Sequence, residues 1–452
     1  MGRLFGTDGV RGIANRELSA EQAMKIGRAA ALVLGKALNR KPLFLIGFDT
    51  RISSPMLCAA VAAGICSAGA DAAILGTVPT PAVAFLVTHH GANAGVMISA
   101  SHNTFAYNGI KLFGSEGYKL PDELEEEIET IVLDRTTSDL PTDGGIGTVS
   151  IWNDALTPYL DHIASAAETD LCGLSVAIDC ANGSASICAE KLFSSLGANV
   201  HMLYQTPNGT NINDDCGSTH MENLAQYVVE NHLDCGLAFD GDADRFLAVD
   251  ENGSIVDGDR IMAVCALDMK SQGKLPHNTV VGTVMTNFGF TKFCDQNGIR
   301  FIATKVGDRF VLEEMLLGGY ALGGEQSGHV IFQEFSTTGD GQLTAIRLLS
   351  VMKKQKVSLS TLASVMTQYP QHMVNLTVSP EGKLAFFTDP EIKRAIDGAR
   401  EMLGETGRVV VRPSGTEPLI RVMAEGMDDR LARAAVDSVA DVIRTRLGNG
   451  RG

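Results

Sequence analysis

A serine beside a histidine follows a short apolar run near residue 100. Ser101 comes directly after the strand-like segment 95–98, His102 is its neighbour, and Lys111 lies ten residues further along the chain. A serine hydroxyl at the end of a strand can attack a phosphoryl group, while a nearby cation stabilises the charge that develops on the phosphoryl oxygens. The same residues also occur in ordinary turns. On their own they therefore admit two interpretations, a phosphoryl carrier and a polar turn.

Three aspartates at alternate positions follow a second apolar segment, 237–239. Asp240, Asp242 and Asp244 offer hard carboxylate oxygens of the kind that divalent cations bind. The spacing resembles the start of a calcium-binding EF-hand loop, but Arg245 stands where that loop requires glycine, and a strand-like segment follows instead of a helix. Three carboxylates leave room for a phosphate oxygen, which Mg²⁺ normally takes as a ligand. We therefore expect a magnesium loop that acts together with Ser101.

A glycine-rich segment, 323–328, presents Glu325, Gln326 and Ser327. Glycines let the backbone approach a ligand closely, and an acid and a hydroxyl can bind neighbouring sugar hydroxyls or an amino group. A solvated surface turn has the same composition and is the alternative. We interpret this segment as a candidate sugar-binding loop.

A hairpin-like segment near the C terminus combines arginines with hydroxyl groups. Guanidinium groups, hydroxyls and loop amides together form a fork for a phosphate dianion. Arginines with a purely structural role are the alternative. The residues concerned are Arg412, Ser414, Gly415, Thr416 and Arg421.

Two more segments place cations beside glycine turns. The first segment, 5–12, contains Arg11, and the second, 304–309, contains Lys305, Asp308 and Arg309. Taken singly, neither segment predicts a function. Each becomes informative only in combination with the motifs described above.

Short β-type runs alternate with helical runs from residue 42 onward, which predicts βαβ units and mostly parallel sheets. The segment 136–147, rich in Thr, Asp, Pro and Gly, predicts a linker, and after residue 370 the pattern changes to an α+β type. We expect four segments with one motif each: residues 1–150 with the serine loop, 151–255 with the metal loop, 256–368 with the sugar loop and 369–452 with the phosphate loop.

The composition limits the possible partners and the compartment. Of the 452 residues 45% are hydrophobic and 20% are charged, which is typical of globular proteins. A formal net charge of -16 and the lack of a basic run argue against nucleic acid as a partner. Nine cysteines are scattered singly, which predicts a reducing compartment, the cytoplasm. The apolar runs of the sequence are too short for a membrane span, so we expect no membrane partner.

Taken together and in this order, the motifs resemble those of the α-D-phosphohexomutase superfamily, from Phe5 to Arg421. The resemblance implies three related α/β domains with mixed, mostly parallel sheets and a smaller C-terminal α+β domain, arranged around a central cleft. It also implies an isomerase that moves a phosphoryl group between the two ends of a phosphosugar by way of a phosphoserine, with Mg²⁺ as the cofactor.

The resemblance further implies a role for each motif. Ser101 would carry the phosphoryl group and would bind Mg²⁺ together with Asp240, Asp242 and Asp244. The residues that would bind the substrate are Lys305, Asp308, Arg309, Glu325, Ser327, Arg412, Ser414, Gly415, Thr416 and Arg421. The candidates for charge stabilisation or proton transfer are Arg11, His102, Lys111 and Arg245, and the sequence does not choose among them.

Within the superfamily the chain looks most similar to the branch that acts on phosphorylated glucosamine, because of the segments 4–12 and 211–220 and Gln326. The implied reaction interconverts glucosamine 6-phosphate and glucosamine 1-phosphate through glucosamine 1,6-bisphosphate, which is also the activator, and supplies precursors of UDP-N-acetylglucosamine and the cell wall. A phosphomannomutase or phosphoglucomutase, and a non-catalytic phosphosugar sensor, are the alternatives. We expect a monomer or a homodimer.

The chain departs from the superfamily pattern in the serine loop. Thr104 stands where the superfamily typically has proline, so one backbone φ angle of this loop is not fixed by a proline ring.

Overall fold

The structure is a computed structural model that describes residues 3–6, 8–35, 41–134, 139–414 and 418–448. Contacts between residues divide the chain into two compact units. The first unit contains Met1–Thr283 and Arg300–Val365, and the second contains Val284–Ile299 and Met366–Gly452. Among the described residues, three sheets lie in the first unit and one sheet lies in the second.

The first sheet and the helices around it cover the N-terminal third of the chain. Their bounds are β1 (Val10–Ile13), α1 (Ala20–Leu34), β2 (Leu43–Phe48), α2 (Ser54–Ser67), β3 (Asp71–Thr77), α3 (Thr80–His89), β4 (Ala94–Ile98), β5 (Tyr107–Gly114), α4 (Asp122–Asp134), β6 (Val149–Ile151) and α5 (Thr157–Ala164). The strands lie in the order β1-β5-β4-β2-β3-β6. β2 is parallel to β3 and β4, and β3 is parallel to β6, whereas β5 is antiparallel to both β1 and β4.

Local sequence explains the helices of this sheet. Ser19 accepts a hydrogen bond from the backbone of Gln22 and so caps α1, and α2 and α3 each carry proline in the first turn. Helices α1 and α2 pack closely because glycine stands at their contact. A Cβ atom at Gly64 would lie 2.0 Å from the carbonyl oxygen of Met24.

The second sheet follows the same plan with fewer elements. Its bounds are β7 (Ser175–Asp179), α6 (Ala189–Ser195), β8 (Asn199–Leu203), α7 (Glu222–Glu230), β9 (Cys235–Phe239), β10 (Phe246–Asp250) and β11 (Ile255–Val256). The strands lie in the order β11-β10-β9-β7-β8. β7 is parallel to β8 and β9, and β10 turns back antiparallel to β9. The turn between β9 and β10 is the segment that carries the three aspartates.

The third sheet has four strands in the order β13-β12-β14-β15, where β12 is parallel to β13 and β14. The bounds in this part of the chain are α8 (Gly258–Ser271), β12 (Thr279–Thr283), α9 (Phe288–Gln296), β13 (Arg300–Thr304), α10 (Asp308–Gly318), β14 (Leu322–Gly324), β15 (Val330–Phe332), α11 (Gly341–Gln355) and α12 (Leu359–Ala363). Helix α9, although it lies between two strands of this sheet in sequence, belongs to the second unit.

The second unit is built on a three-stranded antiparallel sheet in the order β16-β18-β17. Its elements besides α9 are β16 (Gln371–Thr377), α13 (Pro380–Ala385), α14 (Pro390–Leu403), β17 (Gly407–Pro413), β18 (Leu419–Gly426) and α15 (Asp429–Leu447). The start of α9 is tied to the rest of the unit by hydrogen bonds. Asn287 Nδ2 donates to Tyr369 O, and the backbone of Phe288 donates to the carboxylate of Glu425.

The expected fold class is confirmed: three mixed, mostly parallel α/β sheets and a smaller C-terminal α+β part. The four segment boundaries stay predictions. Residues 136–138 of the expected linker lie outside the described residues, and β6, which follows the linker, still pairs with β3 of the first sheet. None of the described helices is long and apolar enough to cross a membrane.

Candidate active site

Ser101 is brought against the aspartate loop of the second sheet. It follows β4, is buried, and donates from Oγ to Asp240 Oδ2 at 2.5 Å. Its φ of 52° lies in the left-handed region, which costs an L-residue about 1–2 kcal/mol and therefore needs support from its neighbours. The hydroxyl also lies 3.4 Å from His102 Nδ1. The structure thus brings the hydroxyl of Ser101 into direct contact with the carboxylate of Asp240. The two residues follow strands of different sheets.

The three aspartates form a compact, buried group. Asp240, Asp242 and Asp244 each offer a carboxylate oxygen, and these oxygens lie within 4.8 Å of one another. Oδ1 of Asp242 and Oδ1 of Asp244 are buried and accept no hydrogen bond within the described part of the chain. Burial, together with the neighbouring carboxylates, raises the pKa of Asp240 well above its usual range. A cluster of this kind fits a divalent cation, because a cation would satisfy both the open oxygens and the excess negative charge.

Lys111 is the cation nearest to the aspartates. Its Nζ donates to Asp242 Oδ2 at 2.8 Å and to Asp244 Oδ2 at 3.2 Å, and it lies 3.2 Å from Asp8 Oδ2. Burial by itself would lower the pKa of Lys111, but the three carboxylates outweigh it and hold this pKa well above the usual value. The side chain therefore remains an ammonium group that can donate to phosphoryl oxygens. We call Ser101, Lys111 and the three aspartates the serine-aspartate centre.

Arg245 and His102 pair at the edge of the serine-aspartate centre. Arg245 Nη1 lies 3.0 Å from His102 Nδ1, to which it can donate a hydrogen bond. Burial and then the charge of Arg245 lower the pKa of His102 to about 4. His102 is therefore a neutral imidazole at physiological pH, and Arg245 supplies the positive charge at this edge. Arg11, the remaining candidate of this group, pairs with Asp8.

Several residues that the sequence reasoning did not select also belong to this region. Thr80, at the start of α3, donates from Oγ1 to Asp242 Oδ2 at 2.6 Å. Lys119 pairs with both Asp8 and Asp308, and so joins the first sheet to the start of α10. His329 lies 3.8 Å from Asp244 and 3.6 Å from Asp308, measured between ring nitrogens and carboxylate oxygens.

Some of these residues could have been selected from the sequence, and others could not. His329 directly follows the glycine-rich segment 323–328, and Asp8 stands next to a glycine in the segment 5–12, so each could have been found from its motif. Thr80 and Lys119 carry no such signal. Their places follow from how α3 and the chain after β5 pack, and only the tertiary structure shows it.

The predicted sugar-binding residues differ in how closely they are connected to the serine-aspartate centre. Glu325 Oε1 accepts a hydrogen bond from the backbone of Gly307 at 3.1 Å, so the two predicted loops of the third sheet contact each other. Ser327 is exposed in the turn after β14. Asp308 reaches the serine-aspartate centre through Lys119 and His329.

Arg309 and Lys305 of the segment 304–309 contact residues outside the serine-aspartate centre. Arg309 forms ion pairs with Asp122, Glu125 and Glu313 on α4 and α10. Lys305 Nζ lies 5.5 Å from the centre of the Phe310 ring. In this structure neither side chain is brought to the serine-aspartate centre, and their substrate-binding role stays a prediction.

The predicted phosphate-binding residues lie in the β17–β18 hairpin of the second unit. Arg412 on β17 stands directly opposite Arg421 on β18, and burial and the charge of Arg421 both lower the pKa of Arg412. Like charges in directly opposed positions destabilise a sheet, so an anion between them would relieve the repulsion. Ser414 is buried at the end of β17. Gly415 and Thr416 lie outside the described residues. We call Arg412 and Arg421 the arginine pair.

Family models match all four parts of the chain. They are described as phosphoglucomutase/phosphomannomutase alpha/beta/alpha domain I for residues 2–139, domain II for residues 157–253, domain III for residues 257–369, and C-terminal domain for residues 373–442.

Curated relatives match over almost the whole length. The chain is 53% identical to phosphoglucosamine mutase of Caldanaerobacter subterraneus over 447 residues, which cover 99% of this chain and 100% of that protein. It is also 53% identical to phosphoglucosamine mutase of Acetivibrio thermocellus over 450 residues, with the same coverage of each chain.

Solved structures share the fold at low sequence identity. A phosphoglucomutase/phosphomannomutase family protein of Burkholderia thailandensis matches with a TM-score of 0.83 at 23% identity, over 100% of this chain and 99% of that chain. N-acetylphosphoglucosamine mutase of Aspergillus fumigatus matches with a TM-score of 0.65 at 16% identity, over 98% and 96% of the two chains. At such identities the likeness concerns the fold alone.

Proposed function

Because this chain belongs to the phosphoglucomutase/phosphomannomutase family, we propose that it is an isomerase that interconverts glucosamine 6-phosphate and glucosamine 1-phosphate. The identity of about half of all residues to full-length phosphoglucosamine mutases supports this substrate. The observation that carries the chemistry is the contact between Ser101 Oγ and Asp240 Oδ2 at 2.5 Å inside a buried carboxylate group.

Ser101 is the phosphoryl carrier in the proposed mechanism. In the first half-reaction the bond between the serine oxygen and phosphorus breaks, and a bond forms between phosphorus and the free hydroxyl of the sugar phosphate. The product is a 1,6-bisphosphate. After the bisphosphate turns over, Ser101 Oγ accepts the phosphoryl group from the other end, and the second monophosphate is released. Each half-reaction moves one phosphoryl group and one proton in opposite directions, so the enzyme ends each cycle phosphorylated.

The surrounding cations stabilise the charge on the transferred group. Lys111 remains protonated among its carboxylate partners and can donate to the phosphoryl oxygens. Arg245 supplies a second positive charge beside Ser101, while neutral His102 holds the Arg245 guanidinium at 3.0 Å. Since phosphoryl transfer needs little covalent assistance, positioning and charge stabilisation supply most of the rate enhancement.

The cofactor in this proposal is magnesium. Asp240, Asp242 and Asp244 would hold the cation together with the phosphorylated Ser101, and the cation would neutralise the negative charge on the serine-bound phosphoryl group. Ser101 gives up its hydrogen bond to Asp240 once it carries the phosphoryl group, which leaves that carboxylate oxygen available as a ligand.

The substrate is assigned to the remaining loops. Glu325 and Ser327, with Asp308, Lys305 and Arg309, are proposed to bind the sugar. The phosphate that is not transferred is proposed to lie against the arginine pair and the segment 414–416. Glucosamine 1,6-bisphosphate is proposed as the intermediate and as the activator that phosphorylates a serine that has lost its phosphoryl group. We place the reaction in the cytoplasm, as a source of precursors for UDP-N-acetylglucosamine.

A phosphomannomutase or phosphoglucomutase activity is the second candidate, because the family models that match the chain carry those two names. Coupled assays with the 6-phosphates of glucosamine, mannose and glucose separate the candidates. We expect kcat/KM to be at least tenfold higher for glucosamine 6-phosphate. A higher kcat/KM for mannose or glucose 6-phosphate would overturn the substrate assignment, and no turnover of any of the three would favour a phosphosugar sensor.

A further inference from the structure

The serine loop is held by a residue of the second sheet that the proposed mechanism has not used. Asn213 lies in the loop between β8 and α7 and is only 4% exposed. Its Nδ2 donates to the carbonyl oxygens of Ser101 and Asn103, at 2.9 Å in each case. Both amide hydrogens of the Asn213 side chain thus form hydrogen bonds with the backbone of the serine loop.

The carbonyl of Ser101 has a second donor from the first sheet. Arg51 Nη2 donates to it at 2.8 Å, and Arg51 Nη1 donates to Thr104 O and Tyr107 O. Arg51 is fully buried and is fixed by an ion pair with Asp49 at 2.7 Å. Because Thr104 replaces the proline expected in this loop, the loop is held by these hydrogen bonds instead of by a fixed φ angle.

Asn213 also contacts the aspartate loop. A Cβ atom placed on Gly241 would lie 2.6 Å from Ser101 O and 2.9 Å from Asn213 Nδ2, so the backbone beside Asp240 packs directly on this pair of groups. The backbone of Asn213 is itself held by a hydrogen bond to Ala181 O at 2.9 Å. Asn213 therefore stands where the serine loop and the aspartate loop meet.

We infer that Asn213 is a positioning residue for phosphoryl transfer: it sets the distance between Ser101 Oγ and the aspartate loop by holding the Ser101 carbonyl. The inference rests on the proposed function and extends it to a residue that does not touch the substrate. An amide is required at this position, because aspartate has the same size but can donate no hydrogen bond and would face two carbonyl oxygens. The left-handed backbone of Ser101 makes the arrangement dependent on this support.

The test uses full-length Asn213→Ala and Asn213→Asp proteins phosphorylated with glucosamine 1,6-bisphosphate. We expect kcat to fall about 10- to 100-fold in the alanine variant and further in the aspartate variant, since small misplacement of a reacting group has effects of this size. KM for glucosamine 6-phosphate should stay within about twofold. Transfer from phospho-Ser101 to the sugar in a single turnover, followed by intact mass, should slow by the same factor as kcat.

Asn211→Ala is the matched control. Asn211 lies two residues away, and within the described part of the chain its side chain forms hydrogen bonds in its own loop, where Oδ1 accepts from Asn208 N and Nδ2 donates to Thr206 O. It should retain wild-type kcat and single-turnover rate. If Asn213→Ala and Asn213→Asp turn over like wild type, while Ser101→Ala is inactive, the inference fails and the proposed function stands. A raised KM with unchanged kcat would also overturn it. If Ser101→Ala remains active, the proposed function itself fails.

Discussion

The serine-aspartate centre and the arginine pair are charged sites of opposite kind. In the centre, Asp242, Asp244 and Asp8 pair with the ammonium group of Lys111, and Oδ1 of Asp242 and Oδ1 of Asp244 accept no hydrogen bond within the described residues. In the pair, Arg412 and Arg421 stand opposite each other across two strands. The first site suits a cation, because buried carboxylates lie close together there, and the second suits an anion, because two guanidinium groups stand on directly opposed positions.

Because the two sites differ in charge, each should control a different kinetic quantity. The centre is proposed to hold the group that reacts, so its contacts should change between ground state and transition state and should affect kcat. The arginine pair is proposed to hold the phosphate that does not react, so its contacts bind ground state and transition state alike and should affect KM. Mutations at the two sites therefore test whether the serine-aspartate centre controls kcat and the arginine pair controls KM.

The largest effect is expected for Ser101→Ala. A two-step transfer has no substitute for the carrier hydroxyl, so we expect mutase turnover to fall by at least about 1000-fold in the coupled assay. The fold should persist, because the substitution removes one oxygen atom, and thermal unfolding of the variant checks this. The variant should also take up no phosphoryl group from glucosamine 1,6-bisphosphate when its intact mass is measured. Turnover near that of wild type would refute the phosphoserine mechanism.

Asp242→Asn should have the next largest effect. It makes one of three anionic ligands neutral and weakens the ion pair with Lys111, so we expect a lower kcat and a higher magnesium concentration for half-maximal activity, each by about tenfold or more. A magnesium titration of activity measures both. Asp214→Asn, an exposed aspartate of the loop before α7, serves as the control and should titrate like wild type. An unchanged titration curve for Asp242→Asn would exclude the aspartate loop as the metal site.

Arg421→Ala and Ser414→Ala test the other side of the comparison. Hydrogen bonds to charged groups contribute about twice as much as neutral ones, so we expect KM to rise by about tenfold or more for the arginine variant and by several-fold for the serine variant. A smaller loss of kcat should accompany the change, because the phosphate contacts also orient the sugar. KM should be measured for glucosamine 6-phosphate and for glucosamine 1-phosphate, since each end of the bisphosphate visits the same residues. If KM is unchanged for both, the hairpin is structural.

Sequence reasoning located the motifs better than it located their partners. Ser101 and the aspartates each follow a buried strand. The two strands lie in different sheets, so the grouping could be expected from the chemistry of a metal loop that leaves room for a phosphate oxygen, and not from strand order. The contacts of Thr80, Lys119 and Asn213 could not, because each depends on packing between segments far apart in sequence. Arg309 adds a contact of the same kind: its substrate role, implied by the family resemblance, stays a prediction, and its side chain pairs with acids of α4, which the sequence did not indicate.

The fold shows a similar division. Two elements follow from strong local signals: the apolar run 43–48 forms β2, and the amphipathic run that starts with Pro390 forms α14. By contrast, the expected third segment, 256–368, includes α9, whose contacts lie in the second unit. Hydrogen bonds that involve the side chains of Asn287 and Glu425 join the start of α9 to that unit, and periodicity carries no information about them. The segment boundary stays a prediction.

The smallest expected effect concerns a carboxylate outside both sites, Asp340, which caps α11. Asp340 is buried beside Tyr159 and, unlike Asp244, forms no ion pair with a cation among the described residues. Burial raises the pKa of Asp340 to about 7. Since the pKa in the folded state exceeds that of the unfolded chain, the stabilisation from its bound proton is complete below about pH 4 and is lost as the pH rises through 7. Between pH 5 and 8 this loss is about 3 kcal/mol in the free energy of unfolding.

Asp340→Asn keeps a good helix cap and cannot ionise, so the stability of the variant relative to wild type should rise by this amount from pH 5 to pH 8. Thermal unfolding of both proteins at the two pH values measures it. A difference between variant and wild type that is the same at both pH values would mean that Asp340 does not titrate in this range.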